Sequence, residues 1–358
     1  MEAWFLRQWQ TNSLWQVLLR PFSWIFAGLA GLRRTFYRNG ILARKRIGVP
    51  VIVVGNITVG GAGKTPLVLV IVASLTRSGF RCGIVTRGYT RRKRAGTDDK
   101  QAAEPFLIRV VPSSLPPSDV SSVGDEAALL ASRSGVPVVQ SADRAAAARA
   151  LLRDFPDVNV IISDDGLQHY ALERDIEICV VDGERGFGNG ALLPAGPLRE
   201  SIARLGLVDA IVVNGETEKF AFTGGRVPAD KKVFSMSLGN ETLIRVQDGK
   251  SMTIDESIAA FATKKILAVA GTGNPSRFFS HLARLGFAPA ETEAFADHHP
   301  FSVGDFSARK LDVILMTEKD AVKCRAFADD RMWFMRVDAL LPRSFDEFVL
   351  NRLSELRK

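Results

Sequence analysis

The feature that most constrains this sequence is a run of glycines between two apolar segments. Residues 51–55 read VIVVG, which suits a strand buried on both faces, and residues 67–75 continue as an apolar helix. Between them, residues 58–65 read TVGGAGKT. A glycine-rich turn between a strand and a helix points successive backbone N–H groups at a phosphate, and the helix amino terminus adds a favourable dipole. We call residues 58–65 the phosphate loop, and they predict a nucleotide site.

The residues of the phosphate loop have different predicted roles. In loops of this kind the lysine, here Lys64, reaches the β- and γ-phosphates, and the hydroxyl of Thr65 holds Mg²⁺. Thr58 is a departure, because the GxxxxGK[ST] pattern has glycine there. Val59 disfavours partition-type ATPases, which carry lysine just before the two glycines. The predicted nucleotide-binding residues are Thr58, Val59, Gly60, Gly61, Ala62, Gly63, Lys64 and Thr65.

Acidic residues at two further places extend this pattern. Asp164 and Asp165 follow the apolar segment 158–163, where a Walker B carboxylate reaches the metal or its waters. Paired aspartates at a strand end also serve as helix caps, but the upstream phosphate loop favours the metal role. Residues 124–126 read GDE at the start of a predicted helix, and capping alone would explain them.

The net charge and the cysteine content limit the classes of protein to which this chain can belong. Lys and Arg number 47 against 39 Asp and Glu, a net charge of +8, which favours anionic partners such as acidic lipid, nucleic acid or a phosphorylated substrate. The three cysteines, Cys82, Cys179 and Cys324, are odd in number and far apart. They encode neither a disulfide framework nor a zinc site, and this pattern fits a protein of the reducing cytosol.

The amino-terminal segment, residues 1–46, is predicted to be a membrane-associated helix. Its uninterrupted apolar part, residues 21–32, is shorter than the about 20 residues that a spanning helix requires. Four tryptophans suit the headgroup level, and a basic run at residues 33–46 would face anionic lipid. A buried core helix or a signal peptide are the alternatives, but no small-x-small cleavage site follows.

Residues 47–231 alternate between apolar strand patterns and helical patterns. This alternation predicts an α/β fold with a mainly parallel sheet flanked by helices on both faces. Residues 232–260 contain two alternating runs around the turn signal Gly239-Asn240, and they predict a two-stranded β linker. Residues 261–358 predict a second, smaller α/β domain with a closing helix at 345–356. The Pro/Ser-rich stretch 112–122 predicts a mobile loop.

Further motifs follow the phosphate loop in a fixed order. They are RGY at 87–89, GDEA at 124–127, DDGLQH at 164–169, NGALLPAGPLRE at 189–200, DHH at 297–299 and TEKD at 317–320. Together with GNITVGGAGKTP at 55–66, this set resembles the tetraacyldisaccharide 4'-kinase family over almost the whole chain. Ala127 and Leu167 stand where the family often has proline and phenylalanine, at positions that carry no reacting group.

The resemblance implies a P-loop NTPase-type fold and a reaction. The γ-phosphate of ATP, with Mg²⁺, would pass to the 4'-hydroxyl of an acylated glucosamine disaccharide 1-phosphate, giving lipid IVA for lipid A. The implied location is the cytoplasmic face of the inner membrane of a Gram-negative bacterium. The implied partners are this lipid substrate and the membrane surface, and not nucleic acid.

The resemblance also implies roles for single residues. Asp125 would act as the base near the acceptor hydroxyl with His298 beside it, and Asp165 is the third catalytic candidate. The implied metal ligands are Thr65, Asp164 and Glu126. The candidate substrate contacts are Arg87, Tyr89, His169 and Arg199.

Other classes of protein fit the sequence less well. In a nucleotide-gated membrane switch or GTPase, TEKD would stand in for the base-recognition motif NKxD, but Thr317 replaces its asparagine. A nucleic-acid-associated ATPase would explain the basic balance, but no aromatic-plus-basic module supports it. A metal hydrolase centred on His298 and His299 lacks other clustered ligands. The turn at 271–275 lacks the lysine of a P-loop and is interpreted as structural.

Overall fold

In the computed structural model, the described residues are Trp9, 14–87, 106–108, 124–215, 231–307 and 311–356. Tyr89 and the predicted loop at 112–122 lie outside them. The described residues confirm the predicted α/β class, with a mostly parallel sheet flanked by helices.

The first half of the chain builds the sheet that carries the phosphate loop. Its strands are β1 (Val51–Gly55), β2 (Cys82–Thr86), β3 (Phe106–Ile108), β4 (Val138–Gln140), β5 (Val160–Asp164), β6 (Ile176–Asp182) and β7 (Ala210–Asn214). Its helices are α1 (Leu14–Arg38), α2 (Lys64–Arg77), α3 (Asp125–Ser134), α4 (Arg144–Asp154) and a 3₁₀ turn (Ile202–Leu207). The strand order is β3-β4-β2-β5-β1-β6-β7, with every pair parallel except β3 and β4. The carboxyl ends of β1, β2 and β5 therefore meet at one edge, which is where ligands bind in such sheets.

The second half repeats the α/β plan on a smaller scale. Its strands are β8 (Lys232–Arg245), β9 (Ser251–Thr253), β10 (Ile266–Ala270), β11 (Glu291–Ala294), β12 (Val313–Thr317) and β13 (Met332–Leu340). Its helices are α5 (Ile254–Phe261), α6 (Pro275–Arg284), α7 (Gly304–Ser307), α8 (Glu318–Cys324), a 3₁₀ turn (Arg325–Phe327) and α9 (Arg343–Glu355). The strand order β11-β10-β12-β13-β8 is parallel up to β13, which pairs antiparallel with β8.

Strand β8 corrects the expected turn at Gly239-Asn240. The strand continues through both residues, pairing first with β7 and then with β13, so the two halves share one sheet. Asn240 has a φ of 54°, and the register with β13 shifts between Arg336 and Asp338, which marks an irregularity and not a hairpin. The reversal of direction comes after β8, and the returning strand is the short β9.

The closing helix α9 packs against the first half of the chain. Phe345, Val349 and Leu353 join the core formed by α2, α3 and one face of the first sheet. Arg352 donates a hydrogen bond to Asp209 Oδ1 at 2.8 Å. The predicted division into domains at residues 232 and 261 stays a prediction, and α9 belongs by packing to the first domain.

Helix α1 exposes apolar side chains to the surroundings and buries polar ones. Trp15, Val17, Leu18, Phe22, Trp24, Ile25, Leu29 and Leu32 are each at least half exposed. Gln16 and Ser23, seven residues apart and hence on one stripe, are buried. None of the described helices combines the length and apolar character that crossing a membrane requires.

Candidate active site

The phosphate loop takes the conformation that its glycines permit. Gly60 and Gly63 have φ values of 95° and 93°, in the left-handed region that glycine tolerates. A Cβ on Gly63 would lie 2.4 Å from Asn214 Nδ2, so this position also needs glycine for space. Asn214 in turn donates to the carbonyl of Ala62 at 3.1 Å. Helix α2 begins at Lys64, so its free N–H groups point at the position of a phosphate.

Lys64 lies among polar groups at the carboxyl ends of β1 and β5. Its Nζ is 3.3 Å from Asp165 Oδ1 and donates to Asn56 Oδ1 at 3.2 Å. Asp165 has a φ of 48°, a left-handed conformation that is unusual for aspartate and common at functional sites. Burial raises the pKa of Asp165, but the charges of Lys64 and Arg199 outweigh it and leave the pKa lowered. The Asp165 carboxylate is therefore ionised.

Asp164 is the buried carboxylate of the pair. It is almost fully buried, and its Oδ1 accepts no hydrogen bond from the described residues. Burial, followed by the negative charge of Glu126, raises the pKa of Asp164 to about 7. A buried carboxylate short of positive charge fits a position beside a cation.

The described residues contain no cluster of three or more His, Cys, Asp or Glu side chains arranged as a metal site. Mg²⁺ in kinase sites is held by one or two carboxylates together with phosphate oxygens and water, so it does not need such a cluster. Thr65, Asp164 and Glu126 therefore suit Mg²⁺ held jointly with a nucleotide.

Asp125 and His298 meet across the two halves of the chain. His298 Nδ1 is 3.0 Å from each carboxylate oxygen of Asp125. Lys319 Nζ and Lys323 Nζ lie 3.7 and 3.6 Å from Asp125 Oδ2. Burial raises the pKa of Asp125, but the hydrogen bond from His298 and the two lysine charges outweigh it and hold the pKa at about 2. The same hydrogen bond raises the pKa of His298.

The candidate substrate residues lie on loops at the carboxyl edge of the sheet. Arg87 follows β2 and is exposed, whereas His169 closes the turn after β5. Burial, followed by the charges of Arg144 and Arg87, lowers the pKa of His169 to about 4, so its imidazole is neutral near pH 7. Arg199 lies 3.5 Å from Asp165 Oδ2 and is thereby linked to Lys64.

The motif at residues 189–200 braces the phosphate loop and holds α1. Val59 N donates to Pro197 O at 2.8 Å, and Arg199 N donates to Ile57 O at 2.7 Å. On its other side, Ser23 Oγ donates to Leu192 O at 2.8 Å and accepts from Ala195 N at 3.0 Å. One short segment therefore joins α1 to the nucleotide site.

Asn56, Asn214 and Lys319 are among the contributors to this site that were not identified from the sequence. Asn56 binds Lys64 and also donates to Gly60 O at 3.1 Å, which ties the strand end to the phosphate loop. Asn214 comes from β7, and Lys319 comes from TEKD. Asn56 and Lys319 lie within motifs that were recognised, but only the folded arrangement shows which groups they face.

The arrangement can bind a nucleotide triphosphate and hold a hydroxyl group near it. Lys64 and the amino terminus of α2 offer positive charge for phosphates, and Asp164 offers a carboxylate for a metal. Asp125 offers an ionised acceptor for a hydroxyl proton. These are the parts that a phosphoryl transfer to an alcohol requires, because such catalysis depends mainly on positioning and charge stabilisation.

Comparison with known proteins identifies the family. The family model for tetraacyldisaccharide-1-P 4'-kinase (LpxK) matches residues 15–354. A tetraacyldisaccharide 4'-kinase of Methylobacillus flagellatus is 47% identical over 99% of this chain and 96% of its own length. One from Shewanella piezotolerans is 41% identical over 99% and 98%.

A solved structure has the same fold. It is a crystal structure of "apo" form LpxK from Aquifex aeolicus in complex with ATP, 27% identical, with a TM-score of 0.77 over 95% of this chain and all of that one. The family match and the curated relatives each cover almost the whole chain. The chain therefore belongs to the tetraacyldisaccharide-1-P 4'-kinase family.

Proposed function

We propose that this protein transfers the γ-phosphate of ATP to the 4'-hydroxyl of a tetraacyldisaccharide 1-phosphate, forming lipid IVA in lipid A biosynthesis. The observation that carries the proposal is the Asp125–His298 pair at the open edge of a P-loop sheet. A nucleotide switch needs the phosphate loop and the metal carboxylate, but it has no use for a second ionised carboxylate paired with a histidine. Membership of the kinase family supports the same choice.

The nucleotide end of the site is assigned to the phosphate loop, residues 58–65. Lys64 binds the β- and γ-phosphate oxygens, which replace part of its present contact with Asp165. Thr65, Asp164 and Glu126 are the residues that would hold Mg²⁺, which supplies charge neutralisation for the phosphates when bound. Occupation of this site by a cation would lower the pKa of Asp164, because an adjacent positive charge favours its ionised form.

The acceptor end of the site is assigned to Asp125. With a pKa of about 2, its carboxylate is ionised at neutral pH and is a good hydrogen-bond acceptor but a weak base. It can orient the attacking hydroxyl from the start and take its proton once bonding to phosphorus has made that proton acidic. His298, bonded to the same carboxylate, stabilises the pair during this transfer. Asp165 remains the alternative base.

Binding of the lipid substrate is assigned to side chains around the carboxyl edge of the sheet. Arg87 and Arg199 offer guanidinium groups that suit a phosphate, such as the 1-phosphate of the disaccharide. His169, held neutral by burial, can donate or accept a hydrogen bond without adding charge. Tyr89 is assigned to the same role from its motif alone.

Membrane contact is assigned to α1. Its exposed apolar face would insert into the interface of the bilayer, and the basic residues that follow would contact anionic headgroups. The contacts of Ser23 with the 189–200 motif would then place the nucleotide site close to the surface that holds the acylated substrate. The proposed location is the cytoplasmic face of the inner membrane, where ATP is available.

The deciding experiment is incubation with [γ-³²P]ATP and a panel of acylated disaccharide phosphates, followed by identification of the labelled position. We expect label at the 4'-oxygen, only in disaccharides with a free 4'-hydroxyl, and an absolute dependence on a divalent cation. A disaccharide already phosphorylated at the 4'-position is the matched control. Release of label only as inorganic phosphate would reject the kinase and favour the nucleotide switch.

A further inference from the structure

The TEKD segment, residues 317–320, places the charge of Lys319 beside Asp125, and its other side chains fix the start of α8. Thr317 Oγ1 accepts from Asp320 N and so caps α8. Glu318 accepts a hydrogen bond from Arg133 of α3 at 2.6 Å. Asp320, fully buried, accepts from the backbone N–H of Gly271 at 2.8 Å. The contact with Arg133 joins the start of α8 to the end of α3, and Lys319 lies beside the start of α3, where Asp125 lies.

Lys319 lies among three carboxylates. Its Nζ donates to Asp297 Oδ1 at 2.9 Å, and it is 3.7 Å from Asp125 Oδ2 and 3.8 Å from Glu126 Oε1. Burial lowers the pKa of Lys319, but the three negative charges outweigh it and the pKa is raised. The ammonium is therefore charged throughout the physiological range, and its one direct hydrogen bond to these carboxylates goes to Asp297.

Asp297 connects this lysine to His298. The same oxygen that accepts from Lys319, Oδ1, accepts from the backbone N–H of His298 at 3.0 Å. His298 has a φ of 61°, a left-handed conformation that costs energy in a residue with a side chain and persists only where the surroundings hold it. In this conformation its imidazole reaches Asp125.

We propose that Lys319 is a positioning residue: through Asp297, it holds His298 in the backbone conformation that places the imidazole against Asp125. The inference rests on the proposed function, since the rate that it concerns is that of the proposed transfer. Lys323 stays beside Asp125 when Lys319 is removed, so the loss of rate should come through His298 and should matter only while His298 is present.

A double-mutant cycle tests this directly. Lys319→Met, His298→Ala and the double variant are compared in steady-state transfer from ATP to the lipid acceptor. Lys319→Met should lower kcat about tenfold or more and leave the KM for ATP within about twofold, because the contacts of Lys319 with described residues are to Asp297, Asp125 and Glu126 and not to the phosphate loop. In the His298→Ala background it should cause no further loss. Losses that multiply would overturn the proposal.

Two further variants separate positioning from general destabilisation. Lys319→Arg keeps the charge and a donor for Asp297, so it should retain most of the activity. Lys264→Met removes an exposed lysine from the same half of the chain and should change nothing. Should Lys319→Met fold poorly, Asp297→Ala removes the oxygen that accepts from both Lys319 and His298, and it must give the same loss of kcat. Full activity in Asp297→Ala would overturn the proposal.

The titration of His298 gives a readout that does not depend on catalysis. The chain has four histidines, so the imidazole resonance of His298 can be assigned by substitution. In Lys319→Met its pKa should fall towards the ordinary 6.5, because the hydrogen bond to Asp125 is the largest cause of its rise. Loss of the lysine charge alone would raise the pKa instead. A rise or no change overturns the proposal, whereas a wild type without transfer would overturn only the proposed function.

Discussion

The two functions proposed for Asp125 require different pKa values, and the neighbouring residues determine which pKa it has. A general base works best with a pKa near the working pH, whereas a carboxylate that must orient a hydroxyl needs only to be ionised. The bond from His298 and the charges of Lys319 and Lys323 favour ionisation and hold the pKa at about 2 despite burial. In the proposed transfer, Asp125 would orient the nucleophile throughout and accept its proton late.

The Asp125–His298 pair should stabilise the folded state only within a pH window. The pKa of His298 is raised, so its contribution is complete below the ordinary value of 6.5 and is lost as the pH rises through the raised value. The pKa of Asp125 is lowered, so its contribution is present above 3.8 and is lost as the pH falls through about 2. His298→Ala should therefore reduce the free energy of unfolding most between pH 3.8 and 6.5, measured by urea denaturation. The same reduction at pH 9 would contradict this.

Lys64→Ala should abolish most of the transfer while the protein stays folded. The substitution removes the fixed positive charge at the β- and γ-phosphates, for which we expect a loss in kcat of about 100- to 1000-fold. Asp165 keeps Arg199 as a charged neighbour at 3.5 Å, so the midpoint of urea unfolding should change little. Lys264→Ala, at an exposed position, is the control. Near-normal turnover by a folded Lys64→Ala protein would reject the assignment of the phosphate loop.

At the scale of residues, a sequence pattern predicts a site where the chemistry depends on local geometry. The phosphate loop was predicted because its glycines, lysine and threonine are consecutive and lie between a strand and a helix. The contact of Asn56 with Lys64 was not predicted, because an asparagine after a strand is also common in ordinary turns. The role inferred for Lys319 depends on Asp125 and Asp297, which are distant in the sequence and meet only in the fold.

At the scale of elements, α1 differs from an ordinary surface helix. A helix of a globular protein buries its apolar stripe, but α1 buries Gln16 and Ser23 and exposes tryptophan, leucine and isoleucine. The apolar composition predicted an interfacial helix within residues 1–46, and α1 spans Leu14–Arg38 of that segment. It continues through Pro21, a residue type that usually kinks or ends a helix. Composition could not show which face turns inward, because that depends on the contacts of Ser23 with a segment far along the chain.

The exposed face of α1 should determine binding to lipid vesicles. We expect the triple substitution of Phe22, Ile25 and Leu29 by serine to weaken partition onto anionic vesicles by at least about a hundredfold, because each buried apolar side chain contributes about 1.5 kcal/mol or more. Val303→Ser, at a similarly exposed apolar residue elsewhere, is the control. Sedimentation with vesicles measures the partition, and activity on substrate dispersed in detergent should be largely kept. Unchanged partition would show that α1 is not the membrane contact.

At the scale of the whole molecule, the two halves are joined more closely than their sequence suggests. In place of the predicted β linker, strand β8 pairs with both β7 and β13 and so joins the two halves in one sheet, and α9 returns to pack on the first half. Most of the strands were predicted, because they are short apolar runs between turn signals, but β3 and β11 were not. Their order and the position of α9 were not, since both depend on which apolar faces meet, and periodicity carries no information about partners. The Asp125–His298 pair is a consequence of this tertiary arrangement.

Arg133 should be important for the stability of this arrangement. Its guanidinium, at the end of α3, binds Glu318 at the start of α8 at 2.6 Å and also binds Asp338 of β13. Glu318 is largely buried, and burial raises its pKa even with Arg133 beside it. Arg133→Met would leave this carboxylate buried without its cation, which costs about 3 kcal/mol in comparable cases.

Urea denaturation of a double-mutant cycle measures this cost. Arg133→Met should lower the free energy of unfolding by about 3 kcal/mol, whereas Arg133→Met combined with Glu318→Gln should lose clearly less, because no unpaired charge stays buried. The exposed pair of Arg343 and Glu347, at 3.3 Å, is the matched control, and Arg343→Met should cost well under about 1 kcal/mol. Equal losses for Arg133→Met and Arg343→Met would mean that the contact between α3 and α8 does not depend on this ion pair.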